Sequence, residues 1–395
     1  MSHELKRVLL KRYGQNKHLK IDHLDTANFT ETGRGMKSDV DFEANEFIIS
    51  FPNEALLTGK RMCQELPHLE EQRVKHHLTN ELVLVFYLAF YCEEHFPEYY
   101  ASLPKEFPNY WLYWSKEDWD SLYEDRVLRR KIKVEKRRYH SVMGRVEMSN
   151  KEAIVMDQNH HFLLFMEPFK LAWAQLNTRT VYLSDQWHDV GKNENNDDST
   201  LNWALAPFLD QFNHHHDAKT VIHDDSEKFA IKVEKKHGKG EQLFISYGEH
   251  PDVFLLLEYG FIIGNSNPHN LIELTNTTVL RDPVTKKMAI DFGCGDGHAI
   301  SLQGASWSLL RSLHLIILDS WNDPIVYEEF DKWPKSDQCL VLNELGKVVH
   351  FERKKFVKIS DTIKNQVLKQ YYYNQIDLLD QFKEIYLDKK IIAEI

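Results

Sequence analysis

Three apolar runs between Ala204 and Phe261 each break off at polar groups, and this limits what the chain can fold into more than any other feature. The first, Ala204 to Leu209, ends in Asp210, Asn213 and His214. The second, Leu243 to Tyr247, is a β-type run closed by Tyr247-Gly248. Its alternation puts Leu243, Ile245 and Tyr247 on one strand face. The third, Val253 to Leu257, is helix-like and ends at Glu258-Tyr259-Gly260-Phe261, where Gly260 is the stop signal. Gly248 permits a sharp turn or a close backbone approach. Taken singly, an Asn-His pair is an ordinary turn and a Tyr-Gly an ordinary strand end. Together they set Asn213, Tyr247 and Tyr259 where buried structure stops, which is where sites are built.

Their order is more specific than their composition. D-x-x-N-H (Asp210 to His214), G-E-x-x-x-I-S-Y-G (Gly240 to Gly248) and E-Y-G-F (Glu258 to Phe261) follow one another. That succession resembles the C-terminal half of a SET domain, the protein-lysine methyltransferase fold. The wider pattern resembles the Rubisco large-subunit methyltransferase class, with specific motifs over residues 25–265 and only helical character beyond. The implied fold class is α+β. It is a SET β-fold, knotted where the Asn213 segment threads beneath a loop, split by a helical insertion and followed by an α-helical C-terminal domain. This places an N-terminal arm at 1–24, the N-terminal part of the SET domain at 25–80 and a mostly helical insertion at 81–199. The C-terminal part of the SET domain then occupies 200–265, and a helical, substrate-binding domain 266–395.

Size and charge bound the function. The 395 residues suffice for two or three domains, and 42% hydrophobic with 28% charged residues is an ordinary soluble composition. The net charge of −11 argues against a molecule built to grip nucleic acid, so no direct nucleic-acid binding is expected. Cys63, Cys92, Cys294 and Cys339 are scattered and form no C-x-x-C pair, which reads as reduced thiols of a cytoplasmic or nuclear protein and predicts no metal site. The N-terminal MSHELKRVLLKRYG is too polar for a signal peptide, and no stretch approaches 18 uncharged apolar residues, so no membrane partner is expected.

Along the chain, residues 1–20 read as a basic helix or arm. Gly33-Arg34-Gly35-Met36 reads as a loop, by itself no more than a hairpin turn. Phe47 to Pro52 reads as a strand stopped by proline. Leu82, Val83, Phe86, Leu88, Ala89 and Phe90 predict a buried helix. Leu103-Pro104 with Trp111 downstream is similar to the start of the class's helical insertion. Eight Lys and Arg residues between Arg126 and Arg138 alternate with Val127, Leu128, Ile132 and Val134. They read as the solvated face of an amphipathic helix, with a surface for wrapping DNA or histones as the other reading. Phe162 to Tyr182 reads as helical and 189–199 as a polar loop. Beyond Phe261, Ile272 to Leu280 and Met288 to Asp291 read as strands or loops, Trp307 to Leu318 as a buried helix, and Lys355 to Ile385 as amphipathic.

Two other patterns compete. Ala289 to Gly297 looks like the glycine-rich strand–turn of a Rossmann-type methyltransferase, with Asp319 ending a later apolar run. Fewer than a hundred residues follow, mostly helical in pattern, too few for the further strand–helix units that fold needs. His214-His215-His216 with Asp217 and His160-His161 suggests a metal, but adjacent histidines converge poorly on one ion.

The resemblance implies methyl transfer from S-adenosylmethionine to a lysine amine of a protein substrate, histone or non-histone. Lysine has a pKa near 10.4, so reaching the neutral amine at pH 7 costs about 4–5 kcal/mol. An apolar channel and a sulfonium charge both favour that neutral form, so no strong general base is needed. On matching positions, Tyr247 is the catalytic residue, orienting the amine, and Tyr259 lines the lysine channel with it. Gly33, Arg34, Gly35 and Met36 bring backbone to the cofactor, and Arg179 reaches its carboxylate. Asp210, Asn213 and His214 hold the cofactor, and Phe261 packs on the adenosyl group or the channel wall. Competing expectations are a protein-histidine methyltransferase and a non-catalytic SET-fold binding module.

Overall fold

Six residues, Leu24–Phe29 (β1), turn through Thr30-Glu31-Thr32 into Gly33–Ser38 (β2). The two strands pair antiparallel, Thr26 opposite Met36 and Ala27 opposite Gly35. The Gly33-Arg34-Gly35 segment is therefore strand rather than loop: the turn falls just before it. In this computed structural model residues 2–153, 161–183, 203–225, 227–280, 282–318 and 329–388 are described. The expected polar loop 189–199, Asp319 and His160 lie outside them. The chain forms two compact units, Met1–Phe107 with Arg137–Glu249, and Pro108–Lys136 with His250–Ile395.

The first unit continues with Phe47–Pro52 (β3), Leu57–Thr58 (β4), Thr180–Tyr182 (β5) and Trp203–Leu205 (β6). Next come Asn213–His214 (β7), Thr220–Asp224 (β8), Lys228–Val233 (β9) and Gln242–Ile245 (β10). They form three small sheets, ordered β1-β2-β10-β7, β3-β9-β8 and β4-β6-β5. Strand β10 lies antiparallel to β2, Leu243 opposite Met36, and parallel to β7, Phe244 opposite Asn213. Leu243 and Ile245 are buried while Gln242 and Phe244 are half-buried, as the alternation predicts. The basic N-terminus is a helix, Ser2–Tyr13, that buries Leu5 and Leu9 completely. The apolar stretch from Asn80 is helical as expected, but after Phe86 it passes into a π-turn, Tyr87–Tyr91, and Phe90 is 37% exposed. Phe169, from the helix His161–Asn177, meets Phe86 and Phe90 edge-on at 5.1 and 5.0 Å. That helix ends at Asn177, and Thr180–Tyr182 is strand, so the helical pattern predicted to Tyr182 stops short.

The second unit is mostly helical. Helix Asp252–Tyr259 stops at Gly260, whose φ of +78° is the left-handed conformation its sequence signal predicts. Pro283–Asp291 is a helix, not the strand or loop expected at Met288 to Asp291: Asp282 caps it by accepting from the Thr285 N–H at 2.8 Å. A helix therefore precedes the glycine-rich Gly293 to Gly297, where a Rossmann motif needs a strand. The predicted helix Trp307 to Leu318 is present. The amphipathic stretch from Lys355 is two helices, Lys335–Thr362 and Gln366–Phe382. Asn365 caps the second, accepting from Leu368 N at 2.9 Å. Asp118 holds the break, its Oδ1 accepting the Lys364 and Asn365 N–H groups at 2.9 Å each.

Burial opposes the charge on Asp118, but the hydrogen bonds from Asn365, Ser115 and Lys364 outweigh it and hold its pKa below the ordinary aspartate value. A carboxyl depressed by folding stabilises fully above its unfolded pKa and loses that contribution as pH falls through the folded value. Asp118→Ala is therefore expected to cost about 2–3 kcal/mol near pH 7. In urea titrations the gap from the unaltered protein is expected to narrow as the pH falls through and below the ordinary aspartate range.

Candidate functional site

The site grows from the junction of two distant stretches. The Asn213 side-chain amide donates to the carbonyls of Thr32 at 3.3 Å and Arg34 at 3.1 Å. It can do so because position 35 has no side chain. A Cβ on Gly35 would fall 2.8 Å from Asn213 Nδ2 and 2.4 Å from Gln242 Nε2. Gln242, at the start of β10, accepts from Thr32 Oγ1 at 2.8 Å, so the same turn is held from two sides. Gln242 Nε2 is buried with no hydrogen-bond partner.

The next residue along, His214, is 9% exposed and accepts from the Tyr247 backbone N–H through Nδ1 at 3.0 Å. Its ring lies 5.1 Å from that of Tyr247. The Tyr247 hydroxyl donates to the Phe212 carbonyl at 2.7 Å, which fixes where the phenol ends. Tyr247 thus follows the end of β10 and is tied back on both its backbone and its hydroxyl to the segment entering β7. Gly248 follows with φ +123°, a conformation that side chains resist. Upstream, Phe208 is fully buried yet has φ +79°. Such backbone costs of order 1–3 kcal/mol and persists where the surroundings over-determine it. Here burial of the ring and the Asp210 N to Ala206 O bond at 3.1 Å hold the turn that delivers Asp210.

A charge cluster sits at that turn. The Asp210 Oδ2 accepts from the Tyr99 hydroxyl at 3.0 Å, and its Oδ1 accepts from Gln211 Nε2 at 2.7 Å. The Arg179 guanidinium donates to the Asp210 carbonyl, and Arg34 Nη2 donates to the Ser102 carbonyl at 2.7 Å. Burial raises the Asp210 pKa, opposed by the charges and hydrogen bonds of Arg179, Gln211, Tyr99 and Arg34. Burial lowers Arg34, and the like charge of Arg179 adds to that. Two guanidiniums thus share one carboxylate, leaving an excess of positive charge, and the buried Arg179 Nε has no hydrogen-bond partner.

The structure thus brings Gly33, Arg34, Gly35, Met36, Arg179, Asp210, Asn213, His214 and Tyr247 into the first unit. Met36 is fully buried. Tyr259 and Phe261 belong to the second unit, their rings 6.0 Å apart, and burial, then the Glu258 charge, pushes the Tyr259 pKa up to about 12. Tyr99, Gln242 and Thr32 were not singled out from sequence. Gln242 falls inside the G-E-x-x-x-I-S-Y-G motif and could have been; Tyr99, in the segment read as the insertion, carries no such signal. His215 stacks on His216 at 4.6 Å, and among the described residues no group of three or more His, Cys, Asp or Glu side chains could hold a metal. Among them, too, no helix is long and apolar enough to cross a membrane.

Comparison with known proteins adds the context. A SET domain family model matches residues 33–248. SET domain-containing protein 4 of Homo sapiens is 26% identical over 364 residues, 85% of this chain and 76% of that protein. The ribosomal lysine N-methyltransferase set11 of Schizosaccharomyces pombe is 30% identical over 174 residues, 44% of this chain and 43% of that one. Among solved structures, the SET domain of LSMT bound to lysine and AdoHcy superposes with a TM-score of 0.61 at 17% identity, over 98% of this chain and 92% of that one. The likeness is one of fold, and it bears out the α+β architecture with a helical C-terminal region.

Replacing Gly35 tests the junction. Gly35→Ala forces the Asn213 amide off its two carbonyls, and a loss of about 1–2 kcal/mol is expected. Thermal unfolding followed by circular dichroism measures it, and an unchanged melting temperature would remove Asn213 from the joint.

Proposed function

The chain belongs to the SET domain family, and from that premise we propose that it transfers a methyl group from S-adenosylmethionine to a lysine side-chain amine of a protein. The observation that carries this is the Tyr247 hydroxyl, held by the Phe212 carbonyl two residues after Asp210, whose own carbonyl holds the Arg179 guanidinium. The residues fit the cofactor. The partnerless Arg179 Nε and the excess charge of Arg34 and Arg179 suit a carboxylate, for which a guanidinium fork is the natural partner. The backbone of Gly33 to Met36, and Asp210, Asn213 and His214, would hold the rest. When bound, S-adenosylmethionine supplies a methyl group on an electron-poor sulfonium.

The chain's own residues then have two tasks. Tyr247 positions the incoming amine, and its hydroxyl dipole acts where charge shifts. The burial around it disfavours the ammonium form, which supplies part of the about 4–5 kcal/mol needed to reach the neutral amine. To Tyr259 we assign the lysine channel, and to Phe261 packing on the adenosyl group or the channel wall. Recognition of the protein substrate, histone or non-histone, we assign to the helical region 266–395, and the place of action to the cytoplasm, the nucleus or both. A relative named actin-histidine N-methyltransferase, from Mus musculus, is 21% identical over 67% of this chain, so a histidine acceptor is the second reading.

Tyr247→Phe is expected to lower transfer of isotope-labelled methyl groups to histones or lysate proteins by at least about a hundredfold. Its melting temperature is expected to stay close to that of the unaltered protein, since one hydrogen bond contributes about 1 kcal/mol. Full turnover by the variant would remove Tyr247 from catalysis, and label recovered on histidine would replace the lysine reading.

A further inference from the structure

The second unit contains a groove that has no part in the methyl-transfer step, although one of its walls lies in the helical region 266–395. It has a volume of about 1380 Å³, above the roughly 300–1,000 Å³ of small-molecule pockets. One wall is the start of the helix Arg126–Ala153, from which Arg126, Arg129, Arg130, Lys133 and Lys136 line it. Their spacing puts them on one helical face. Val127, Leu128 and Ile132 are buried, Ile132 also lining the groove, but Val134 is 55% exposed, so the amphipathic reading of this run holds except at Val134. What it leaves unexplained is the facing wall. There, near the end of the helix Lys335–Thr362, stand Lys354, Lys355 and Lys358. Lys355 is tied to the buried Glu352, and Lys358 pairs with Glu124 at 2.5 Å. Lys133 and Lys354 are exposed and have no ion pair among the described residues. Asp120 and Glu124 are the acidic side chains in the lining.

Cations on two facing walls repel one another unless an anion lies between them. Within the first wall, burial, and then the charge of Arg129 on the same helix, lowers the Lys136 pKa. The net charge of −11 is a property of the whole chain and does not describe this face. The groove also carries aromatic rings turned to solvent. Tyr123 is 76% and Phe351 49% exposed, with the Arg129 guanidinium 5.6 Å from the Tyr123 ring and the Lys136 ammonium 3.5 Å over that of Trp119.

We propose that this groove binds single-stranded nucleic acid, with phosphates along the two basic walls and bases stacked on Tyr123 and Phe351. An acidic peptide would satisfy the charges but would give the rings no role. A lipid surface cannot enter a groove. Single strands combine both requirements, a charged backbone and flat faces.

The test uses the full chain and a fluorescein-labelled 15-nucleotide oligouridine RNA, with anisotropy read between 50 and 200 mM KCl. Binding is expected, with log K falling against log salt at a slope of about −3, the release accompanying roughly four phosphate contacts. The pair Lys133→Glu with Lys354→Glu is expected to weaken binding at least about tenfold and to flatten that slope. The pair Tyr123→Ala with Phe351→Ala is expected to weaken it about tenfold at unchanged slope. All four side chains are solvent-exposed, so both variants should melt with the unaltered protein. Should the charge reversals unfold it, Lys133→Gln with Lys354→Gln is read in the same way. No binding at 50 mM KCl, or binding indifferent to both pairs, overturns the proposal. So does a labelled poly-glutamate peptide that binds more tightly than the RNA and ignores loss of the rings, which would make the occupant an acidic protein.

Discussion

The side-chain amide of Asn213 holds together two stretches that the chain keeps 179 residues apart. Its two donated bonds fix the turn before β2 against the residue that opens β7, and β10 is then hydrogen-bonded to both strands. The Gly33–Met36 backbone, the Asp210 turn and Tyr247 therefore stand in one frame, because each is fixed to a strand of the same small sheet or to the loop entering it. Glycine at position 35 is the condition for this, since any Cβ there would meet the amide. A single amide thus does the work that a long run of paired strand residues does elsewhere. Orientation in catalysis is lost with shifts of about 1 Å, so the joint matters more than its few bonds suggest.

The electrostatics at the Asp210 turn follow from that frame. A carboxylate is half-buried beside two guanidiniums, a phenol and an amide, and its own hydrogen bonds are filled from within the chain. The Asp210 carboxylate is thereby filled by Tyr99 and Gln211, while main-chain carbonyls of Asp210 and Ser102 hold Arg179 and Arg34, so the surplus charge belongs to the arginines. Taking charges out of water is expensive unless they are paired, so a surplus kept at a turn is better explained by an anionic ligand than by stability.

Legibility from sequence differed by element. Gly260 announced its helix stop because only glycine enters the left-handed region without cost. Leu243 and Ile245 announced their face through strict alternation. The Asp282-Pro283 start was also written in the chain, as cap and first-turn proline, yet the apolar Met288-Ala289-Ile290 drew the reading toward strand or loop. Asn365 ends one amphipathic pattern and caps the next helix, and hydrophobic period alone runs straight through it. Within the candidate site, residues that belong to local motifs could be found. Tyr99 could not, since it meets Asp210 across 111 residues and nothing beside it marks a partner. The facing wall of the basic groove was hidden for the same reason: its lysines lie more than 200 residues beyond the basic run they oppose.

The order of the strands has a consequence for how this chain is made. Strand β2 lies near the start of the chain, but one of its neighbours, β10, begins at Gln242. Bringing the two together closes a loop of about 200 residues, an entropic cost of about 5 kcal/mol before any bond repays it. During synthesis the β1–β2 hairpin therefore waits with one side of β2 unpaired until some 240 residues have left the ribosome. An open strand edge is a template for other chains. This protein's exposure to aggregation is set by its translation time, and the residues that complete the site are also the ones that end that exposure.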